Sequence, residues 1–302
     1  MKIRVGILRG GTGSEYERSL ASGAHILKHF PVEYTPVDIF VDREGKWHVG
    51  GYEIEPSHIS KRADVLYNAI HGEYGEDGGL AHTLENVGIP FVGSRKIASV
   101  LAWDRGHTRD VYARHGLKVP LHTQFDAGIH GERELLNIFQ NMPQPSVVRI
   151  ATRDGRHTGA YADSYSALRR AVAEAGDISR DVIIETHIKG KPVSCVVMEG
   201  FRNETMYAFP VIEIKEEGAT YPAKISREEA ALVQRAARIA HEAFGARHYS
   251  QTHAIVSPKG IYVIETVTVP DHAPDSVLGK SLESVGVTQE QMMEHLVTQA
   301  LK

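Results

Sequence analysis

A glycine-spaced acidic loop near residue 70 combines residue types that could bind a ligand. An apolar run at residues 64–70 predicts a buried parallel strand, and the chain continues as His71-Gly72-Glu73-Tyr74-Gly75-Glu76-Asp77-Gly78-Gly79 into a predicted helix at 80–87. Glycines allow tight turns and close approach of the backbone to a ligand. Open α/β sheets bind ligands where a strand's carboxyl end enters such a loop. On spacing alone, this is either a ligand-binding loop or an ordinary acidic turn between a strand and a helix.

A second glycine loop lies at the start of the chain. Residues 3–7 alternate as a strand, Gly10-Gly11-Thr12-Gly13 follow, and Ser14 with Glu17 predicts a capping box for the next helix. Strand, glycine loop and helix together suggest a dinucleotide site, but the third glycine of that motif would fall at Tyr16. The spacing therefore argues against a dinucleotide-binding dehydrogenase.

A third candidate site lies on a predicted hairpin at 249–256 and 261–266. It carries His253 on one strand and Glu265 on the other. Magnesium prefers hard oxygen ligands, whereas imidazole suits zinc and its neighbours. The pair is either a weak metal site or a surface histidine beside a structural glutamate.

Composition restricts the class of protein. The 302 residues are enough for two or three lobes with their own cores, and 42% apolar with 24% charged residues is ordinary for a globular protein. The net charge of −4 gives no reason to expect nucleic-acid binding, and no apolar run approaches the roughly 20 residues of a membrane span. The absence of an N-terminal signal sequence and the lone Cys195 lead us to expect a cytoplasmic protein.

Four stretches together resemble the D-alanine–D-alanine ligase family of the ATP-grasp superfamily. The acidic loop matches His-Gly-x-x-Gly-Glu-Asp-Gly, and residues 10–20 are similar to Gly-Gly-x-x-x-Glu-x-x-Val-Ser-Leu. Residues 88–94 and 209–214 are similar to Gly-Ile-Pro-Tyr-Thr-Gly-Ser and Leu-Pro-Val-Ile-Glu-Ile. The resemblance implies a three-lobed ATP-grasp fold of α/β and α+β type. Its lobes would be a Rossmann-like lobe at 1–105, a central lobe at 106–188 and a C-terminal lobe at 189–302, often dimeric through the first lobe.

The resemblance also implies roles for individual residues on the substrate side. Glu15 would hold the ammonium group of a first D-alanine, and His71 and Ser276 would help to position substrates. The family pattern Thr-Leu-Pro-Gly-Met-Thr-x-x-Ser-Leu has a glycine whose N–H stabilises the tetrahedral intermediate. Here that position is Asp271, which places a negative charge where an oxyanion would develop.

On the nucleotide side, arginines replace the family's lysines. Arg105 and Arg149 stand where two lysines contact ATP phosphates, and a planar guanidinium needs different room from an ammonium. Glu185 and Ile188 match the linker that holds adenine through backbone groups. Pro192 replaces a glutamate that binds ribose hydroxyls. We expect one continuous helix at 98–116 to carry Arg105.

Further departures affect magnesium and the covering loops. Gln251-Thr252-His253 and Glu265-Thr266-Val267 replace the family's Arg-x-Asp and Glu-x-Asn, so only Glu265 survives as a magnesium ligand. Gly155-Arg156-His157-Thr158-Gly159 replaces a phosphate-covering Gly-Ser-Ser-Val-Gly, and its bulky side chains favour a solvated hairpin turn over a backbone cradle for phosphate. The chain passes almost directly from Lys215 to Tyr221, which predicts that the active-site lid is deleted.

The sequence thus supports two functional hypotheses. The first is a D-alanine–D-alanine ligase-like protein that has weak or lost ligase activity and either binds a D-alanine-like amino acid or a nucleotide, or pairs with an active ligase. The alternative is an active ATP- and Mg²⁺-dependent ligase that joins D-alanine or a related amino acid in peptidoglycan synthesis. The replaced nucleotide, magnesium and lid positions favour the first hypothesis, because each such loss removes part of the stabilisation of the transition state.

Overall fold

The computed structural model describes residues 2–152 and 159–302. Its first segment alternates strands and helices, as the apolar runs between glycine loops predict. The elements are β1 (Arg4–Gly10), α1 (Tyr16–Lys28), β2 (Thr35–Val41), β3 (Trp47–Val49), β4 (Tyr52–Ile54), β5 (Val65–Asn68), α2 (Gly79–Val87), β6 (Phe91–Val92), α3 (Lys96–Trp103) and α4 (Arg105–Arg114), with a 3₁₀ turn at Pro56–Lys61. The strands form one sheet in the order β4-β3-β2-β1-β5-β6. Strands β2, β1, β5 and β6 are parallel, and β3 pairs antiparallel with β2 on one side and with β4 on the other, at the edge of the sheet.

The middle segment forms an antiparallel sheet covered by helices. Its elements are β7 (His122–Asp126), α5 (Glu132–Asn141), β8 (Ser146–Ile150), β9 (Ala160–Ala162), α6 (Tyr165–Gly176) and β10 (Asp181–Thr186), with strand order β7-β10-β8-β9. A separate core of buried side chains, including Val148, Leu168 and Ile184, joins the sheet to its helices. The predicted phosphate-covering loop falls mostly at 153–158, outside the described residues.

The last segment forms the third sheet and the C-terminal helices. Its elements are β11 (Lys191–Glu199), a 3₁₀ turn at Phe201–Asn203, β12 (Met206–Ala208), β13 (Ile212–Lys215), β14 (Gly218–Thr220), α7 (Arg227–Phe244), β15 (Tyr249–Ser257), β16 (Gly260–Val267), α8 (Val277–Ser284) and α9 (Gln289–Ala300). The strands run β14-β13-β11-β15-β16, with β12 paired to β11. One buried cluster contains Val5 and Tyr67 of the first sheet together with Val196 and Leu296, so the two ends of the chain share a core.

Two local predictions are wrong. Residues 98–116 are not one helix: α3 ends at Trp103, and Asp104 has extended backbone angles and caps α4 by accepting a hydrogen bond from the His107 N–H (2.8 Å). Asp104 also bridges to Thr152, which draws the chain out of the helix. Helix α1 begins at Tyr16 with Glu15 as its N-cap, so Glu17 stands one position too early for a capping box.

The mixed α/β architecture expected from the sequence is confirmed. In the part of the chain that the structure describes, no helix combines the length and apolar composition needed to cross a bilayer.

Candidate functional site

A cavity of about 510 Å³ is lined by residues from all three segments of the chain. Of the residues singled out in the sequence, the following line it: Glu15, Arg105, Arg149, His253, Glu265 and Ser276. They are spread from the first helix to the loop before α8, so only the folded chain brings them together. His71, Glu185 and Ile188 do not line the cavity.

The acidic loop after β5 forms one wall of the cavity. The Asn68 side chain holds it, because its Nδ2 donates to the carbonyl of Gly75 (2.9 Å) and its Oδ1 accepts from the Ile70 N–H (2.9 Å). A Cβ on Gly75 would lie 1.9 Å from the Ile70 carbonyl oxygen, so no other residue fits there without movement. This close turn places Gly72 and Glu76 on the cavity surface.

His71 lies behind this wall. Its side chain is fully buried, with Nδ1 3.8 Å from Glu76 Oε1, and its backbone N–H donates to Ser19 Oγ (2.9 Å). Ser19 Oγ in turn donates to the Glu15 carbonyl (3.0 Å). His71 therefore ties the loop to α1, which carries Glu15, rather than exposing its imidazole to the cavity.

The end of the cavity formed by the start of α1 and the loop before α8 contains an ion-pair network that the sequence did not reveal. Arg18 Nη1 donates to Glu15 Oε2 (2.6 Å), and Arg18 Nε donates to Asp271 Oδ2 (3.0 Å). Burial of Asp271 opposes its ionisation, but the Ala273 N–H and Arg18 outweigh this and lower its pKa. The negative charge expected at Asp271 is thus present and paired.

Ser276 has two structural tasks at the same end. Its hydroxyl donates to the Asp271 carbonyl (2.6 Å) and accepts from the Gly279 N–H (3.1 Å), so it caps α8 and fixes the preceding loop. A substrate carboxylate would have to compete with the first of these bonds.

The opposite end holds the candidate metal ligands. His253 and Glu265 face each other across β15 and β16, as the predicted hairpin requires. Glu265 Oε2 lies 3.6 Å from Arg105 Nη2, and His253 Nε2 is hydrogen-bonded to Gln251 Nε2 (2.9 Å). Arg105 is itself held by the carbonyls of Ile150 and Thr152.

These residues do not fit a magnesium ion. Magnesium requires several hard oxygen ligands in octahedral geometry. Of the two candidate ligands, Glu265 alone offers a carboxylate, and a guanidinium already lies beside it. Within residues 2–152 and 159–302, no group of three or more His, Cys, Asp or Glu side chains is arranged to hold a metal ion.

Arg149 and Glu185 belong to a buried network below the cavity. Arg149 Nε donates to Glu185 Oε1 (2.8 Å), and the fully buried Arg109 donates from Nη2 to Glu185 Oε2 (2.7 Å). Burial raises the pKa of Glu185, but Arg109 and Arg149 outweigh it, so the pKa lies below its usual value. The Glu185 side chain therefore neutralises these two arginines. Ile188 is half-buried and lies in the connection after β10.

Strands β13 and β14 form a tight hairpin at the place where the sequence predicts that the active-site lid is deleted. Strands β13 and β14 pair in register from Glu213–Thr220 to Lys215–Gly218, so only Glu216 and Glu217 connect them. Gly218 and Ala219 lie on the cavity surface.

Sequence reasoning missed Arg18 and Arg109. Arg18 carried a detectable signal, because it is a charged residue where the family pattern has valine. Arg109 carried none: its neighbours in sequence do not distinguish it from an exposed helical arginine, and its partner Glu185 is 76 residues away.

Comparison with known proteins agrees with the fold. The model of a family described as D-ala D-ala ligase C-terminus matches residues 113–298. The D-alanine–D-alanine ligase of Geotalea uraniireducens is 28% identical over 309 residues, covering 98% of this chain and 95% of that protein. The ligase structure from Coxiella burnetii superposes with a TM-score of 0.88 at 20% identity, covering 99% of this chain and 94% of that one. The structure of the Bacillus anthracis ligase complexed with ATP superposes with a TM-score of 0.83 at 22% identity, covering 99% of this chain and 97% of that one.

The solved structures establish that this chain has the ATP-grasp fold of these ligases. Because the family model spans more than half of its length, the chain belongs to the D-alanine–D-alanine ligase family.

Proposed function

We propose that this protein is a D-alanine–D-alanine ligase-like ATP-grasp protein in which ligase activity is weak or lost. The observation that carries the proposal is the position of Arg105, whose guanidinium lies 3.6 Å from Glu265, the surviving magnesium-ligand position. An internal cation therefore occupies the neighbourhood in which the family pattern places a metal ion. We derive no catalytic step through magnesium, because the residues present do not fit it.

The charge of the cavity supports the same proposal. Its described lining carries five carboxylates against three guanidiniums, a formal charge of −2, from Glu15, Glu76, Glu265, Asp271, Asp275, Arg18, Arg105 and Arg149. A nucleotide triphosphate is a polyanion, and like charges repel more strongly when they are partly buried. Without metal ions to neutralise it, ATP would meet an unfavourable field at this surface.

In this proposal the two ends of the cavity keep separate tasks. Glu15 stands where the family pattern places the acceptor of an amino-acid ammonium group, and Ser276 and His71 hold the surrounding loops in place. Arg105 and Arg149 contact phosphate groups of any nucleotide that binds, and the backbone at Glu185 and Ile188 receives the base. The relatives are named as ligases of D-alanine, so D-alanine and ATP are the first ligands to test.

The same proposal includes lobe boundaries at 1–105, 106–188 and 189–302, a homodimer and a cytoplasmic location. The separate sheets at 4–92, 122–186 and 191–267 support the boundaries. Family membership supports the rest.

An active ligase is the second candidate. It is favoured by one observation, that Glu15 and the two phosphate-side arginines line the same cavity. In an active enzyme, ATP would phosphorylate a D-alanine carboxylate, and the amine of a second amino acid would then displace phosphate from that acyl phosphate.

Phosphate release in the presence of D-alanine, ATP and Mg²⁺ separates the two candidates. We expect a rate far below the ordinary range of about 1 to 10³ per second. A calorimetric ATP titration with Mg²⁺ and with EDTA completes the test, and we expect weak binding that does not depend on the metal. Glu265→Gln serves as a matched variant, because it keeps shape but removes the last carboxylate ligand. Turnover in the ordinary range that Glu265→Gln abolishes would refute the proposal.

A further inference from the structure

The start of α1 places a carboxylate and a guanidinium side by side on the cavity surface. Arg18 lies between Glu15 (2.6 Å) and Asp271 (3.0 Å), which comes from the loop before α8. The acids are 19% and 21% exposed, whereas Arg18 is 49% exposed. Arg18 is therefore the most exposed of the three side chains, and it lines the cavity beside both carboxylates.

Two departures from the family pattern are in direct contact here. Arg18 stands at the valine of Gly-Gly-x-x-x-Glu-x-x-Val-Ser-Leu, and Asp271 at the glycine of Thr-Leu-Pro-Gly-Met-Thr. Together they add one positive and one negative charge, so the formal charge around Glu15 stays at −1. What changes is the hydrogen-bond partner of the Glu15 carboxylate, because the guanidinium of Arg18 now donates to it.

The backbone is organised to keep this arrangement. Asp271 Oδ1 accepts from the Ala273 N–H (3.0 Å), and the Asp271 carbonyl accepts from Ser276 Oγ (2.6 Å). Asp271 thus holds Arg18 from the side opposite Glu15. The guanidinium can leave only by breaking charge-assisted bonds to two fixed acids.

We propose that Arg18 sets the ligand specificity of this end of the cavity by occupying, with its own guanidinium, the place of a ligand's ammonium group. The inference rests on the proposed function, since Glu15 is the ammonium acceptor there. The wild-type cavity then gains nothing from a ligand's ammonium group, and a small amino acid binds no better than the matching hydroxy acid.

A pair of isosteric probes isolates the ammonium group. D-Alanine and D-lactate share a carboxylate and a methyl group and differ in ammonium against hydroxyl. Their dissociation constants are measured by calorimetry without nucleotide or metal, for the wild type and for Arg18→Val. We expect similar constants in the wild type. In Arg18→Val we expect D-alanine to bind about tenfold more tightly than D-lactate, because displacing a paired, partly exposed guanidinium is no longer required.

Two further variants make the result specific. Arg18→Lys retains a cation and keeps the wild-type ratio of the two constants. Arg43→Gln removes an arginine paired with Glu17 of the same helix but outside the cavity lining, and it also keeps that ratio. The thermal transition of each variant is recorded first, and Arg18→Gln replaces Arg18→Val if the latter does not fold.

The outcomes are distinct from those of the turnover test. A preference for D-alanine that appears only when the charge of residue 18 is removed supports the inference. An unchanged ratio in Arg18→Val, including no measurable binding of either probe, overturns it. Rapid phosphate release by the wild type would instead refute the proposed loss of activity, and the nucleotide-free binding ratio would be unaffected.

Discussion

Neutralising Glu185 should destabilise the protein strongly. The carboxylate is 3% exposed and lies 2.7 Å from the fully buried Arg109 and 2.8 Å from Arg149. Glu185→Gln keeps the side-chain shape but leaves two guanidiniums facing a neutral amide. Removing one partner of a buried ion pair costs about 3–5 kcal/mol. Because Arg149 is 22% exposed and can be hydrated, we expect a loss of about 3 kcal/mol, near the lower limit.

The pH dependence gives the prediction a second signature. The folded-state pKa of Glu185 is lowered, so its ionisation stabilises the folded state above the unfolded-state pKa of about 4.3. That stabilisation is lost as the pH falls through the lowered folded-state pKa. The difference between wild type and Glu185→Gln should therefore be complete at neutral pH and shrink in acid below about pH 4.

Urea unfolding followed by the fluorescence of the two tryptophans measures the loss. Glu132→Gln is the matched control, because its pair with Arg169 lies in the same segment with both side chains 66% exposed. We expect no resolvable change there. If Glu185→Gln at pH 7 were no less stable than Glu132→Gln, the network would not be the neutralised buried cluster that we describe.

Three further predictions concern buried groups and a helix cap. Burial lowers the pKa of His272 from 6.5 to about 3, so its protonation favours unfolding as the pH falls below 6.5. His272→Met should therefore flatten the pH dependence of the free energy of unfolding down to about pH 3. Burial raises the pKa of Cys195 to about 12, so a thiol reagent should label it only in denaturant; labelling of the native protein at the same rate would contradict its buried position. Thr288 caps α9 in a reciprocal box with Gln291, so Thr288→Ala should lower the free energy of unfolding by about 1 kcal/mol, and an unchanged urea midpoint would contradict the cap.

The sequence predicted the framework of the cavity because glycine requirements are local. Gly10 has a φ of +95°, and a Cβ there would lie 2.1 Å from the Val41 carbonyl oxygen. Gly75 meets an equally close carbonyl at Ile70. Such positions mark where a strand must turn, and turns between an apolar run and a helix can be read without knowing distant partners.

The errors arose where distant contacts override local preference. Residues 98–116 have no proline or glycine cluster that would end a helix, yet Arg105 donates its backbone N–H to the Ala151 carbonyl (2.8 Å). That bond, with the bridge between Asp104 and Thr152, joins the first segment to the end of β8 and takes precedence over helix continuity. The resulting break points Arg105 towards Glu265, which a continuous helix would not require.

Departures from a motif have to be judged with the side chains that surround them in space. Asp271 considered alone adds a negative charge, but Arg18, 253 positions away in sequence, lies 3.0 Å from it. Arg105 considered alone is a conservative change, but beside Glu265 it puts a permanent cation next to a metal-ligand position. Since guanidinium groups stay charged at any physiological pH, a change of pH does not remove the charge of either arginine. Under the proposed function, each arginine therefore acts as a fixed competitor for a cation that would otherwise come from a ligand.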